Sequence, residues 1–229
     1  MLIYSNGCSH TAGHCINPVK TWPNVVMRGI LNNVNYETNP PKNEIKNINV
    51  LFNEAEYGSA NDYIFHHSLE SISELIQKNK KPDYVFIQWS STNRRVHQTI
   101  NEENIFVNVH YHIELGIKYE PMGSKHTLHY IFLMQEYLKK NNINYCFLNY
   151  IPLDKSIKKL NIYNEIDMDK FIFIEFDKNI LFNGLIYHLK KNNMICDTPG
   201  HPDTKGNFFM GNQVLKKIGF QELYYNKIC

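Results

Sequence analysis

Short apolar runs alternate with amphipathic stretches of helical spacing along most of this chain, and few folds accommodate that order. Leu2 to Ser5 is an apolar run that stops at Asn6-Gly7, as a buried first strand and its turn would. Pro18 to Leu31 carries Trp22, Val25, Val26 and Ile30 at helical spacing. Asn32 to Asn47 is polar, contains Pro40-Pro41 and reads as loop. Ile48 to Phe52 is a second strand. Asn61 to Lys78 places Ile64, Phe65, Leu69, Ile72, Leu75 and Ile76 on one face of a helix, and Pro82 ends the connection that follows. Tyr84 to Gln88 is a third strand, apolar nearly throughout, as a central parallel strand is. Further on, His126 to Asn141 reads as helix, Tyr145 to Tyr150 as a fourth strand, and Asp203 to Ile218 as a last helix weakened by Gly206 and Gly211. Between them, Phe171 to Ile174 suits either strand or helix, and Ile180 to Lys191 looks helical.

Repeated strand–helix order implies a parallel sheet covered by helices on both faces. The 229 residues suit one domain, 1–229, with an insertion around 96–123 and a variable segment around 155–190. Hydrophobic residues make up 43% and charged ones 20%, ordinary for a globular protein. A net charge of +2 gives no general attraction to nucleic acid or anionic membrane. No stretch is long and apolar enough to span a bilayer, and no signal peptide is visible, so the expected location is cytoplasmic. The abundance of Asn, Lys, Ile and Tyr reads as the imprint of an AT-rich genome, that of a virus or a low-GC bacterium. Five cysteines without CxxC spacing read as buried thiols and argue against disulfides and zinc knuckles.

In parallel sheets of this kind, chemistry sits beyond the carboxyl ends of the strands. Asn6-Gly7-Cys8-Ser9-His10-Thr11-Ala12-Gly13 follows the first strand, with Ser9 at the sheet's edge. Glu56-Tyr57-Gly58-Ser59-Ala60-Asn61-Asp62 follows the second, where Gly58 lets backbone approach a ligand and present its N–H to an oxyanion. Ser59 or Asn61 there reads as a helix N-cap. Gln88-Trp89-Ser90-Ser91-Thr92-Asn93-Arg94-Arg95 follows the third, with the Asn93 amide as a second oxyanion donor. Cys196-Asp197-Thr198-Pro199-Gly200-His201-Pro202-Asp203 precedes the last helix and holds His201 between Gly and Pro.

Taken in order, these four blocks resemble those of the SGNH (GDSL-like) hydrolases. Gly7-Cys8-Ser9-His10 looks like their first block, Gly58-Ser59-Ala60-Asn61 their glycine block, Thr92-Asn93 the core of the third and His201-Pro202 the last. The whole layout also resembles SGNH-like proteins of tailed phages. The resemblance implies a flavodoxin-like three-layer α/β/α sandwich with a central parallel sheet. It makes Ser9 the nucleophile, His201 the general base, and the Ser9 N–H, the Gly58 N–H and the Asn93 amide the oxyanion hole. The implied substrate is a small-molecule or glycan ester, O-acetyl on a carbohydrate foremost, with no metal or organic cofactor. Serine is a weak nucleophile alone and needs a neighbouring base, and fixed donors stabilise the tetrahedral oxyanion.

The chain departs from the family pattern at Cys8, Ser91, Arg94 and Thr198. Thr198 stands where the triad acid often lies, so Asp197 is the expected orienter of His201 and Asp203 a poorer one. Otherwise a Ser–His dyad remains. These departures leave a second reading open, a catalytically inactive scaffold serving as a carbohydrate-binding or virion structural module. Cys8 is a rival nucleophile beside Ser9. His10, Trp89 and Arg94 are candidate substrate contacts, Arg94 through an anionic group and Trp89 by stacking. His97, His110, His112, His126 and His129 are a weak metal set that lacks a convincing carboxylate or Cys.

Overall fold

The computed structural model describes residues 1–32, 34–45, 49–92, 94–98, 104–108, 120–151, 153–172, 185–197 and 200–225. Its strands are β1 (Leu2–Asn6), β2 (Glu37–Thr38), β3 (Val50–Asn53), β4 (Tyr84–Trp89), β5 (Arg94–Gln98), β6 (Asn104–Asn108), β7 (Asn144–Asn149) and β8 (Phe171–Ile172). Its α-helices are α1 (Ser9–Ala12), α2 (Trp22–Leu31), α3 (Asn61–Gln77), α4 (Glu120–Lys140), α5 (Leu185–Lys191) and α6 (Thr204–Lys217). Six strands form one parallel sheet in the order β2-β3-β1-β4-β7-β8, and β5 and β6 form a separate antiparallel pair. Without the short edge strand β2, the order is the doubly wound one of flavodoxin-like folds. The chain leaves β1 to one side for β3 and returns to the other side for β4, so the crevice opens at the end of β1.

Alternation along the strands divides the core in two. Tyr4, Phe52, Val85, Ile87, Trp89, Tyr145 and Phe147 point to the face covered by α3 and α4. Ile3, Leu51, Phe86, Cys146, Leu148 and Tyr150 point to the face covered by α2, α5 and α6. Both sets are almost wholly buried, which is why these strands read as continuous apolar runs. The result is a three-layer α/β/α sandwich, as the strand–helix order implied. Among the described residues no helix is long and apolar enough to cross a membrane.

Several boundaries differ from the sequence reading. The stretch from Pro18 is a 3-10 turn (Pro18–Lys20) followed by α2, because Thr21 turns extended and restarts the chain. The polar segment read as loop contributes β2, which pairs with β3 in parallel. α4 begins at Glu120, a turn and a half before the expected His126. Its Gly123 sits against the Thr92 carbonyl, where a Cβ would lie 2.2 Å from that oxygen. Phe171 and Ile172 resolve to strand, the stretch expected to be helical contributes α5 at Leu185–Lys191, and 173–184 lies outside the described residues, as does most of the insertion. The glycines read as weakening α6 let it pack tightly. A Cβ on Gly211 would meet Val25 at 2.6 Å, and one on Gly206 the Met194 carbonyl at 2.4 Å.

Candidate active site

Ser9 opens α1, a four-residue turn that directly follows β1. Cys8 caps that turn in extended conformation, and Gly13 ends it with φ 86°. Gly7 has to be glycine, because a Cβ there would lie 2.3 Å from Thr11 Oγ1. This fixes the Ser9 hydroxyl at the rim. His201 arrives from the far end of the chain on a loop closed by the Ile195–Pro202 bridge and by Cys196 N–H donating to the His201 carbonyl at 3.0 Å. Ser9 Oγ lies 2.9 Å from His201 Nε2 across 192 positions of sequence. When the hydroxyl donates, Nε2 is the unprotonated ring nitrogen, the form a general base requires.

The loop after β3 stands on the same rim. Glu56 N–H donates to the Gly7 carbonyl at 3.4 Å, and Tyr57 meets the edge of His14, whose ring lies 4.7 Å from that of His201. Gly58 in this loop has φ 79°, a conformation that favours glycine. Asn93 lies outside the described residues, as does Thr198. The flanks of Asn93 are braced. Asn61 Oδ1 accepts from Ser90 N–H at 2.6 Å, while its amide donates to the Ser90 carbonyl (3.1 Å) and to Thr127 Oγ1 (2.9 Å). Asn61 therefore ties the second block to the third. It does not cap α3, whose N-cap is Ala60, and Ser59 Oγ donates to the Glu56 carbonyl.

The expected orienter is not in place. Asp197 is exposed and, among the described residues, makes no hydrogen bond or ion pair with His201. Asp203 is engaged elsewhere, accepting from Gly206 N–H at 2.7 Å as the N-cap of α6. Two of the candidate substrate contacts are also corrected by burial. Trp89 is fully buried edge-on to Phe147, since its position on β4 points into the core. His10 is 6% exposed and stacks between Tyr150 and His201, with ring centroids 3.6 and 4.8 Å away. Arg94 remains at the rim, half-buried, donating to Ser90 Oγ at 3.1 Å. Cys8, the rival nucleophile, is buried out of reach. His110 and His112 lie outside the described residues, and among those described no group of three potential metal ligands gathers.

Sequence reasoning missed Tyr150 and His14. Tyr150 donates to the Gly200 carbonyl at 2.5 Å from the position just past β7. Applying the strand-end rule to the fourth predicted strand would have found it. Burial pushes the Tyr150 phenol well above its ordinary range, with the Cys8 and Cys196 thiols adding to the effect, so it stays a donor. Burial, aided by the Arg94 guanidinium, lowers His10 to about 3 against the opposing pull of its bond to Gly200.

No family model matches the chain, and no curated protein matches it. Solved structures do resemble it over nearly its full length. One is TesA (TM-score 0.56, 11% identity, 95% of this chain and 98% of that one). Another is the psychrotrophic esterase EstA from Pseudoalteromonas sp. (0.53, 11%, 95% and 96%). A third is a structure assigned to the G-D-S-L lipolytic family from Desulfitobacterium hafniense DCB-2 (0.52, 12%, 94% and 98%). Likeness at these identities is likeness of fold.

Proposed function

We propose that this chain is a serine ester hydrolase of the SGNH type, acting on a small acyl ester through an acyl-enzyme intermediate. The observation that carries the reading is the 2.9 Å approach of Ser9 Oγ to His201 Nε2 at the crevice of the sheet. In this reading His201 takes the Ser9 proton as Oγ attacks the ester carbonyl. The oxyanion is held by the N–H groups of Ser9 and Gly58 and by the Asn93 amide. Collapse of the tetrahedral species breaks the bond to the alcohol, which leaves with the proton from His201. Water, deprotonated by His201, then attacks the acyl-enzyme and releases the acid.

For the alcohol we propose a hydroxyl-rich, uncharged group such as a sugar. A cavity of about 450 Å³ opens beside the loop after β3, lined by Asn39, Asn53, Glu54, Glu56 and His67 with Pro40 and Pro41 as an apolar wall. Its one lysine is already engaged. Lys42 reaches Glu54 at 3.0 Å, Glu74 at 3.1 Å and Ser71 at 3.0 Å, so among the described residues of the lining no lysine or arginine is left for an anionic ligand. The exposed Asp197 favours the second reading, a scaffold that binds such a glycan without cleaving it.

Hydrolysis of p-nitrophenyl acetate separates the two. Ser9→Ala is expected to lower kcat by about 10³-fold or more, and a fluorophosphonate is expected to label the wild type at Ser9 and leave the variant unlabelled. Equal rates in the two proteins would remove Ser9 from the chemistry. A folded wild type that takes no label would favour the binding module.

A further inference from the structure

We propose that Cys8 and His10 act together as positioning residues for His201, steadying the base from the serine side of the site. The inference rests on the Ser9–His201 reading. A linked set of contacts carries it. Gln88 Oε1 is fixed by Thr11 Oγ1 at 2.9 Å and Trp22 Nε1 at 3.1 Å, which turns the Gln88 amide toward Cys8 Sγ at 3.7 Å. Cys8 Sγ lies 2.8 Å from His10 Nδ1, and His10 Nε2 lies 3.1 Å from the Gly200 carbonyl. A carbonyl can only accept, so Nε2 carries the proton. In a neutral ring Nδ1 is then an acceptor, and the Cys8 thiol donates to it. The thiol thereby selects the His10 tautomer that holds Gly200.

Gly200 directly precedes His201 and has φ 85°, so rotation of its carbonyl would carry the base with it. Two donors hold that carbonyl, His10 Nε2 and Tyr150 Oη. The His10 ring also lies flat between Tyr150 and His201, with interplanar angles of 18° and 28°, and so limits the tilt of the His201 imidazole. A phenylalanine would supply the stack without the bond, and a glutamine the bond without the stack. Neutrality matters too, because a cation here would oppose the imidazolium that His201 becomes. Among the described residues the groups facing His10 are Cys8, Tyr150, His201 and Arg94, and burial with the Arg94 charge lowers its pKa to about 3 and keeps the ring neutral.

Two measurements test this. Long-range ¹H–¹⁵N spectra of the wild type should show His10 as the neutral Nε2–H tautomer from pH 8 down to pH about 5, and Cys8→Ala should mix the tautomers. Kinetically, His10→Phe should slow fluorophosphonate labelling of Ser9 and lower kcat by about 10²-fold, the cost of a misplaced group, with KM unchanged. Cys8→Ala should act in the same direction and Cys8→Ser, which keeps a donor, should recover most of the rate. A protonated or Nδ1–H His10 in the wild type overturns the proposal. So does a folded His10→Phe that labels at the wild-type rate. A wild type that takes no label overturns the hydrolase reading alone. The positioning claim is then decided by the His201 resonances, which must shift in His10→Phe and which, if unchanged, overturn it.

Discussion

At the scale of single residues, His10 shows how burial changes what an imidazole does. In the unfolded chain it titrates near 6.5, and in the folded protein at about 3. Above pH 6.5 neither state is protonated and the group adds no pH dependence. Between 6.5 and 3 the unfolded state binds a proton that the folded state refuses, so stability falls as pH falls, by about 1.4 kcal/mol per unit at full slope. His10→Phe lacks this linkage. As pH drops from 7 to 4.5, the wild type should lose urea stability faster than the variant. Parallel curves would mean that His10 is protonated in the folded protein.

At the scale of elements, the packing of α2 on α6 sets two effects against each other. Replacing a mid-helix glycine by alanine gains about 1 kcal/mol of helix propensity. At Gly211 the added methyl would lie 2.6 Å from Val25 and 3.2 Å from the Trp22 carbonyl, and overpacking of that kind costs about 1–3 kcal/mol. Gly211→Ala is therefore expected to lower stability by about 1 kcal/mol in urea denaturation, and a gain would show that the helices part easily. Asparagine has a related role. Asn32, Asn79, Asn142 and Asn193 take positive φ at or just past the ends of α2, α3, α4 and α5, where glycine is the usual residue. A composition read as a genomic imprint is thus used to end helices.

At the scale of the whole molecule, one sheet is the shared wall of two cores, and each core holds one tryptophan. Trp89 lies in the layer under α3 and α4, and Trp22, the first residue of α2, in the core that α2 and α6 form with the other face of the sheet. Every central strand contributes to both layers, so neither should melt alone. In Trp22→Phe and in Trp89→Phe, the remaining tryptophan's fluorescence transition should coincide with the loss of secondary structure in the same variant. A fluorescence midpoint displaced from the circular dichroism midpoint would show the layers uncoupling.

The amino-acid sequence by itself determined the layers, the parallel sheet and the rim on which Ser9 stands, while His201 joined that site only through the resemblance to the SGNH hydrolases. Those follow from period and from turn residues, which act over a few positions and are written locally. It named Asp197 as the orienter of the base and Asp203 as a poorer one, whereas Asp197 is exposed and Asp203 caps α6. It also placed His10 and Trp89 among the substrate contacts, because adjacency to a motif carries no information about burial. Only the tertiary structure decided these points. Which way a side chain faces at a strand end, and which carbonyl it meets from 190 positions away, depend on how the layers close. The capping reading of Asn61 failed for the same reason, since its partners Ser90 and Thr127 come from other elements.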